Sequence, residues 1–478
     1  MSRAAHEAQV PTIVIVGAGF SGAVTAVQLL RQARGPMRVI LVNETGRMAR
    51  GLAYGTGSAA HVLNVPAGNM SALADAPDDF LRYCHWSDPS VRAESFVPRR
   101  QYGAYLEALL AAAEAASGTG TGLQRLVGRV VEIEPPVAPG APARVQLLAP
   151  GASQPTVIEA VAVVLAFGHF APINPAPSLL GRLPPDRLVA DPWKPQALDI
   201  IGADDDVLLV GAGLTAVDVA LSLAANGHSG QLLAISRRGL APQSHRKTGV
   251  MPGVVDGAAL AAQMGLTIRG AVRTLRKVVI ERCERGEDWR DVVGALRAHT
   301  PALWQSWTHV ERARFLRHVR PHWEVLRHRC APSAHDAFSE LVSRGRLSLM
   351  GARLSGVEPV TDGVRVTLRP RGGGRPEVRH VQVIVNCTGP SSDVRRSGSA
   401  LVGSLLDRGL LHADDLGLGL RADRRHQLLA ADGQALSWLR YVGPLLKARD
   451  WEATAVPELR QHALILARDL ASALAAGS

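Results

Sequence analysis

Cysteine is scarce in this chain. Four residues, Cys84, Cys283, Cys330 and Cys387, are spread over 478 positions and form no CxxC or other closely spaced pair. That spacing argues against structural zinc and against a dithiol redox centre, and it suits a reducing compartment. Long apolar runs are also missing. The longest, Ala160-Val161-Ala162-Val163-Val164-Leu165-Ala166-Phe167, has the length of a strand and falls well short of the roughly 20 residues a membrane helix needs, so no membrane contact is expected. Before Pro11 no basic segment leads into an apolar one, so no secretory signal is read and a cytoplasmic location is expected. Lysine is nearly absent too: Lys194, Lys247, Lys277 and Lys447 are the only four, so almost all positive charge is guanidinium.

The chain has an apolar fraction of 47%, enough for packed cores, and its length fits about two to four domains of roughly 100–200 residues. Its formal charge of +11 raises nucleic acid as a partner. The distribution speaks against it. Residues 269–329 hold 14 basic and 7 acidic side chains, interleaved with Trp and His, which reads as a solvated helical face or a site for a small anion.

The β-branched run Thr12-Ile13-Val14-Ile15-Val16 leads into Gly17-Ala18-Gly19-Phe20-Ser21-Gly22 and then a helical pattern over 23–34. In such a strand, turn and helix, Gly17 permits the turn, Gly19 lets backbone approach a pyrophosphate, and Gly22 allows helix to pack on strand. A second strand ends at Glu44, 22 residues beyond Gly22, where a carboxylate accepts from ribose hydroxyls. Far downstream the pattern returns. Asp206-Val207-Leu208-Leu209-Val210 runs into Gly211-Ala212-Gly213-Leu214-Thr215-Ala216, and the following strand ends in Ser236-Arg237-Arg238 where the first copy has an acid. A hydroxyl and two guanidiniums bind the 2′-phosphate that a carboxylate would repel, so the second nucleotide is expected to be NADPH.

Two more apolar strands exit through small residues, Val163 to His169 through Gly168 and Ile384 to Pro390 through Gly389, as chains do when they pass close to a ligand. The segment 255–344 reads as helices, among them 310–319 and 335–343, packed by Trp289, Trp304, Trp307 and Trp323. His318 and His322 stand four residues apart, but Pro321 would disturb a shared helix and no HExxH accompanies them; no metal is expected. Residues 360–370 and 377–385 alternate like antiparallel strands around Gly372-Gly373-Gly374, and 457–474 reads as an amphipathic helix with Leu459, Ala463, Leu466, Leu470 and Leu474 along one stripe.

Two nucleotide folds, Glu44 after the first and an arginine pair after the second, make the chain resemble the two-dinucleotide-binding-domain flavoproteins. Gly51-Leu52-Ala53-Tyr54, His61-Val62-Leu63-Asn64-Val65-Pro66-Ala67, Val217-Asp218, Asn386-Cys387-Thr388-Gly389 and Trp451-Glu452-Ala453-Thr454-Ala455-Val456-Pro457-Glu458-Leu459-Arg460 are similar to a bacterial family of FAD/NAD(P)-binding proteins. Flavin-containing and N-hydroxylating monooxygenases are its distant relatives. The resemblance spans nearly the whole chain and implies an α/β fold with two Rossmann-like domains, for FAD and NADPH, and a helical insertion. The expected division is 1–195 and 386–478 for the FAD domain, 196–255 and 341–385 for the NADPH domain, and 256–340 for the insertion. It further implies that His61, Leu63 and Asn64 lie near the flavin ring, that Gly168 and Gly389 line the domain crossing, and that Gly443-Pro444 contact the flavin end of FAD. His61 and Asn64 are thus the candidates nearest the chemistry. The expected activity is an NADPH-dependent flavin monooxygenase in which hydride reduces FAD, oxygen forms a C4a-peroxyflavin, and a small nucleophile, an amine or amino acid, is oxygenated. An NADPH-dependent reductase and a non-catalytic flavin-bound regulator stand as alternatives. Arg320, Arg327, His328 and Arg329 are candidates for holding an anionic substrate.

Overall fold

The computed structural model describes residues 10–247 and 251–476. Residues 1–9, on which the expectation of no secretory signal rests, lie outside them. Among the described residues no helix is long and apolar enough to cross a membrane.

Two sheets organise the chain. The first has six strands in the order Gln427–Leu429, Ala435–Tyr441, Ala162–Leu165, Thr12–Val16, Met37–Asn43, Thr121–Val127, all parallel except the first. Its central strands alternate between two cores. Ile13 and Ile15 pack under the helices Phe20–Gln32 and Val456–Ala476, while Val14, Val163 and Leu165 face a three-stranded antiparallel sheet, Arg129–Glu134, Ala143–Leu148 and Thr156–Ala160. Burial on both faces is why these strands read as unbroken apolar runs. The stripe from Leu459 to Leu470 is buried against the first helix.

The second sheet has seven strands in the order Glu377–Val381, Gly363–Pro370, Leu347–Val360, Leu232–Ser236, Val207–Val210, Val383–Asn386, Leu188–Val189. Leu188–Val189, inside the 1–195 span, pairs here with Val383–Asn386. The expected strands are displaced. Val360 closes the long strand Leu347–Val360, and Gly363–Pro370 pairs with Glu377–Val381 around the glycine turn. The run 377–385 divides, since Val383–Asn386 leaves the hairpin to lie parallel to Val207–Val210. Alternation describes the hairpin arm, and the four buried residues Val383 to Asn386 mark the strand that enters the core.

Between the sheets' segments the insertion folds as helices, with Trp304, Trp307 and Trp323 buried in a core of their own and Trp289 packed against it. Helix Pro332–Ser343 instead puts Phe338 into the second sheet's core. The expected helix over 310–319 is α over His309–Arg314 and then a π turn over Phe315–Val319, followed by Arg320–Arg327. Arg320 N–H bonds five residues back to Phe315 O. Pro321 therefore does not end the helix: it sits at the first turn of the next α segment, where its missing N–H is tolerated.

Candidate functional site

The first glycine turn is shaped by contacts no larger residue would permit. Gly17 has φ +106° and donates its N–H to Val42 O at 2.9 Å; a Cβ there would stand 2.8 Å from Ala166 O. A Cβ on Gly22 would stand 1.9 Å from Gly17 O. Gly19 caps the helix Phe20–Gln32 without any side-chain hydrogen bond, so the first backbone N–H groups, including those of Phe20 and Ser21, are left to a ligand. The chain crosses back over the turn at Ala49, whose N–H bonds Ala18 O at 2.7 Å, and a Cβ on Gly51 would meet Gly19 Cα at 3.2 Å. Glu44 stands one residue past the strand Met37–Asn43 and is exposed. Turn, uncapped helix and carboxylate fit the pyrophosphate and ribose of a dinucleotide.

The second turn repeats this. Gly211 has φ +120°, its Cβ would stand 2.3 Å from Cys387 O, and Gly213 opens the helix Leu214–Ala225 with no side-chain cap. Thr215 and Ala216 are buried in its first turn beside Leu214. Ser236 Oγ accepts from Gly239 N–H at 2.9 Å, so this hydroxyl serves its own turn. Arg237 is exposed at the strand end, and Arg238 reaches His318 O at 3.4 Å.

The strand exits beside the two turns meet at one junction. Gly17 leans on Ala166 and Phe167, Gly211 on Cys387 and Thr388, and just beyond them Phe170 and Ser391 exchange backbone hydrogen bonds of 3.1 and 3.0 Å. A Cβ at Gly168 or Gly389 would meet nothing within 4 Å. Asn386 fastens the crossing by donating to Ile173 O and Ala190 O, both at 3.2 Å. Tyr441 Oη donates to Phe167 O at 2.9 Å and accepts from Leu445 N–H at 3.2 Å; a Cβ on Gly443, φ +141°, would stand 2.7 Å from that oxygen. Pro444 then opens the buried short helix Pro444–Ala448.

His61 and Asn64 lie in the seam between the two domains. His61 bonds Thr56 Oγ1 at 2.7 Å through Nδ1 and Ser222 Oγ at 2.8 Å through Nε2, and Ser222 belongs to the helix behind the second glycine turn. Burial lowers its pKa below the usual value and favours the neutral ring. Asn64 O accepts from His245 Nε2 at 2.9 Å, and Leu63, 2% exposed, bonds Val97. Arg99 pairs with Asp218 at 2.9 Å in the same seam, where burial raises the Asp218 pKa against the opposing pull of Arg99, and the Trp193 ring lies 5.6 Å from the His61 ring, tilted by 60°, and 5.7 Å from the Arg99 guanidinium. Arg99, Trp193 and Ser222 carry no motif that sequence reading could use; pairing over 119 residues is visible only in the fold.

Two of the four basic candidates face carboxylates. Arg320 Nε bonds Glu324 at 2.8 Å, and Arg327 lies 2.9 Å from the buried carboxylate of Glu452. Burial, with Arg327 and Arg290 nearby, lowers Arg329 to about 10, and burial beside Arg327 and Lys447 pushes His328 well below the usual imidazole value. Lys447, absent from the expected set, lies 4.2 Å over the Trp451 ring and 3.9 Å from Glu324; burial, with Arg320 nearby, lowers it to about 8. Among the described residues no three His, Cys, Asp or Glu side chains are grouped to hold a metal.

A family model described as FAD-NAD(P)-binding matches residues 14–170. No curated protein matches the chain by sequence. Among solved structures, ornithine hydroxylase from Pseudomonas aeruginosa superposes with a TM-score of 0.63 at 17% identity, over 97% of this chain and 100% of that one. L-lysine 6-monooxygenase from Pseudomonas syringae gives 0.63 at 18%, over 98% and 99%. Bacillithiol disulfide reductase from Bacillus cereus gives 0.50 at 14%, over 97% and 99%. These likenesses extend the two-domain fold over the whole chain, and residues 14–170, with their glycine turn and open helix N-terminus, are an FAD/NAD(P)-binding domain.

Proposed function

We propose that the protein is an FAD- and NADPH-dependent oxidoreductase, and specifically a monooxygenase acting on a small amine or amino acid. The observation that carries this is the junction: two glycine turns with uncapped helices lean on the two strands that pair at Phe170 and Ser391. Such an arrangement suits two dinucleotides brought end to end. Bound FAD supplies acceptance of hydride from NADPH and activation of oxygen.

The chain's own residues hold and orient. Gly17, Gly19, Gly22 and the N–H groups of Phe20 and Ser21 take the FAD pyrophosphate, and Glu44 takes its ribose. Gly168, Gly389, Gly443 and Pro444 border the flavin end, with Leu63 and Asn64 behind it. Gly211, Gly213, Leu214, Thr215 and Ala216 take the second pyrophosphate, while Arg237 and Arg238, with Ser236 shaping their turn, clamp the 2′-phosphate. His61 acts as a positioning residue, because both ring nitrogens are spent on the seam. Solved structures of this fold include, by their descriptions, enzymes hydroxylating ornithine and lysine, which supports the substrate class. His328, Arg329 and Lys447 are the groups we assign to substrate. Arg320 and Arg327 are assigned to their carboxylates.

A reductase of the disulfide type fits less well. Cys84, Cys330 and Cys387 are buried and free, with thiol pKa values pushed up by burial. The test is to reconstitute the protein with FAD and follow NADPH oxidation under ¹⁸O₂ while screening amines and amino acids. Mass spectrometry should find one ¹⁸O in product; NADPH consumption with no labelled product would replace the monooxygenase by a reductase, and failure to bind FAD would end both readings.

A further inference from the structure

A cleft of about 350 Å³ opens where the helix Thr300–Ser306, the turn before Gln427–Leu429, the segment 449–453 and the last helix meet. It shares no residue with the two glycine turns, the crossing strands or Gly443-Pro444. Its volume is in the range of small-molecule sites, roughly 300–1,000 Å³.

The polar groups of its wall divide into two sets. Each carboxylate faces an arginine. Glu458 accepts a bidentate pair from Arg297 at 2.6 and 2.7 Å, Asp450 accepts from Arg449 at 2.6 and 2.9 Å, and Glu452, whose oxygens make no hydrogen bond among the described residues, lies 2.9 Å from the Arg327 guanidinium. The remaining groups have hydrogen-bonding atoms to spare. His426 is 1% exposed, holds φ +63°, and has no hydrogen-bond partner at either ring nitrogen among the described residues. His462, 9% exposed, stands 5.1 Å from it ring to ring and has no partner at Nδ1, while its Nε2 lies 3.4 Å from Asp450. Arg424 is exposed on the same wall with no partner among the described residues. A buried imidazole left unpaired in a strained backbone costs free energy that a ligand would recover. An Arg424 guanidinium and a His426 imidazole without acceptors, beside carboxylates that each face an arginine, select an anion; Pro301, Ala302 and Ile465 give it an apolar wall.

We propose that this cleft is a second ligand site, binding a small organic carboxylate through Arg424 and His426, separate from the cofactor junction. The aliphatic body lies on the apolar wall, and the carboxylate meets the Arg424 guanidinium and the His426 imidazole.

Saturation-transfer NMR on the FAD-loaded full chain tests this with sodium butyrate, its neutral isostere butyramide, and inorganic phosphate. Butyrate is expected to bind saturably, butyramide at least tenfold more weakly, and NADP⁺ is expected not to displace butyrate. Arg424→Gln and His426→Asn should each weaken butyrate at least tenfold with FAD content unchanged. Asn tolerates the left-handed backbone of position 426, and Arg424, being exposed, keeps the test decisive if the His426 variant fails to fold. Equal binding of butyrate and butyramide, binding unaltered by Arg424→Gln, displacement by NADP⁺, or binding of phosphate without butyrate would each overturn the proposal. FAD content and NADPH oxidation are read separately, so this site and the proposed function fail independently.

Discussion

At Gly22 a single added carbon would lie 1.9 Å from Gly17 O, closer than any real contact, so Gly22→Ala must push helix from strand. The expected outcome is loss of most bound FAD, read as flavin absorbance per protein, together with a lower Tm. Arg237 and Arg238 are proposed to hold a different nucleotide. Charged hydrogen bonds are each worth about 1.5–3 kcal/mol, so Arg237→Ala/Arg238→Ala should raise KM for NADPH at least about tenfold and leave NADH nearly unchanged; equal effects on both would remove the phosphate clamp. At Asp218 the fold adds what no local pattern states. Asp218→Asn leaves the Arg99 guanidinium, 12% exposed, unpaired in the seam, and breaking such a buried pair costs about 3–5 kcal/mol. Urea unfolding should show that loss. The glycine turns and the place of Arg237 at a strand end were legible in sequence because they depend on backbone geometry within one strand, turn and helix, whereas the contacts of His61 and Asn64 depend on Ser222 and His245, which are far away along the chain.

Among the elements, the last helix followed its pattern closely: the stripe at Leu459, Ala463, Leu466 and Leu470 is the stripe that is buried. Leu466, 0% exposed, lies in the core that also holds the first glycine-turn helix, so Leu466→Ala should cost about 2–5 kcal/mol in urea unfolding and loosen FAD with it. Elsewhere pattern and element diverged for local reasons. Alternation carried across 377–385, but the chain turns between Val381 and Val383, and its two halves take separate places in one sheet, at the hairpin edge and beside Val207–Val210. Pro321 signalled a break that the π turn over Phe315–Val319 absorbs, because a bond made five residues back realigns the helix before the proline. The basic character of 269–329 also changed meaning. Arg282, Arg314 and Arg320 face carboxylates within the insertion, and Arg297 and Arg327 face Glu458 and Glu452 near the C-terminus, so part of that charge ties the insertion together and to the rest of the chain.

For the whole molecule, buried neutral histidines couple stability to pH. Burial lowers His61, and lowers His245 and His426 to about 3, while in an unfolded chain they titrate near 6.5. The unfolded state therefore takes up protons first as pH falls. Stability should be level above about pH 7 and decline from about 6.5 downward toward 3, seen as a falling urea midpoint between pH 7.5 and 4.5; a flat profile would mean these rings protonate without unfolding. The sequence by itself determined the two nucleotide turns, the acid after one and the arginines after the other, because each is a contiguous strand, turn and helix whose physics is complete within about thirty residues. Only the tertiary structure decided what lies between them. The seam of His61, Ser222, Arg99 and Asp218, the pairing of Phe170 with Ser391, and the cleft around His426 each bring together groups from distant segments, and such pairings are fixed by packing, which no local period records.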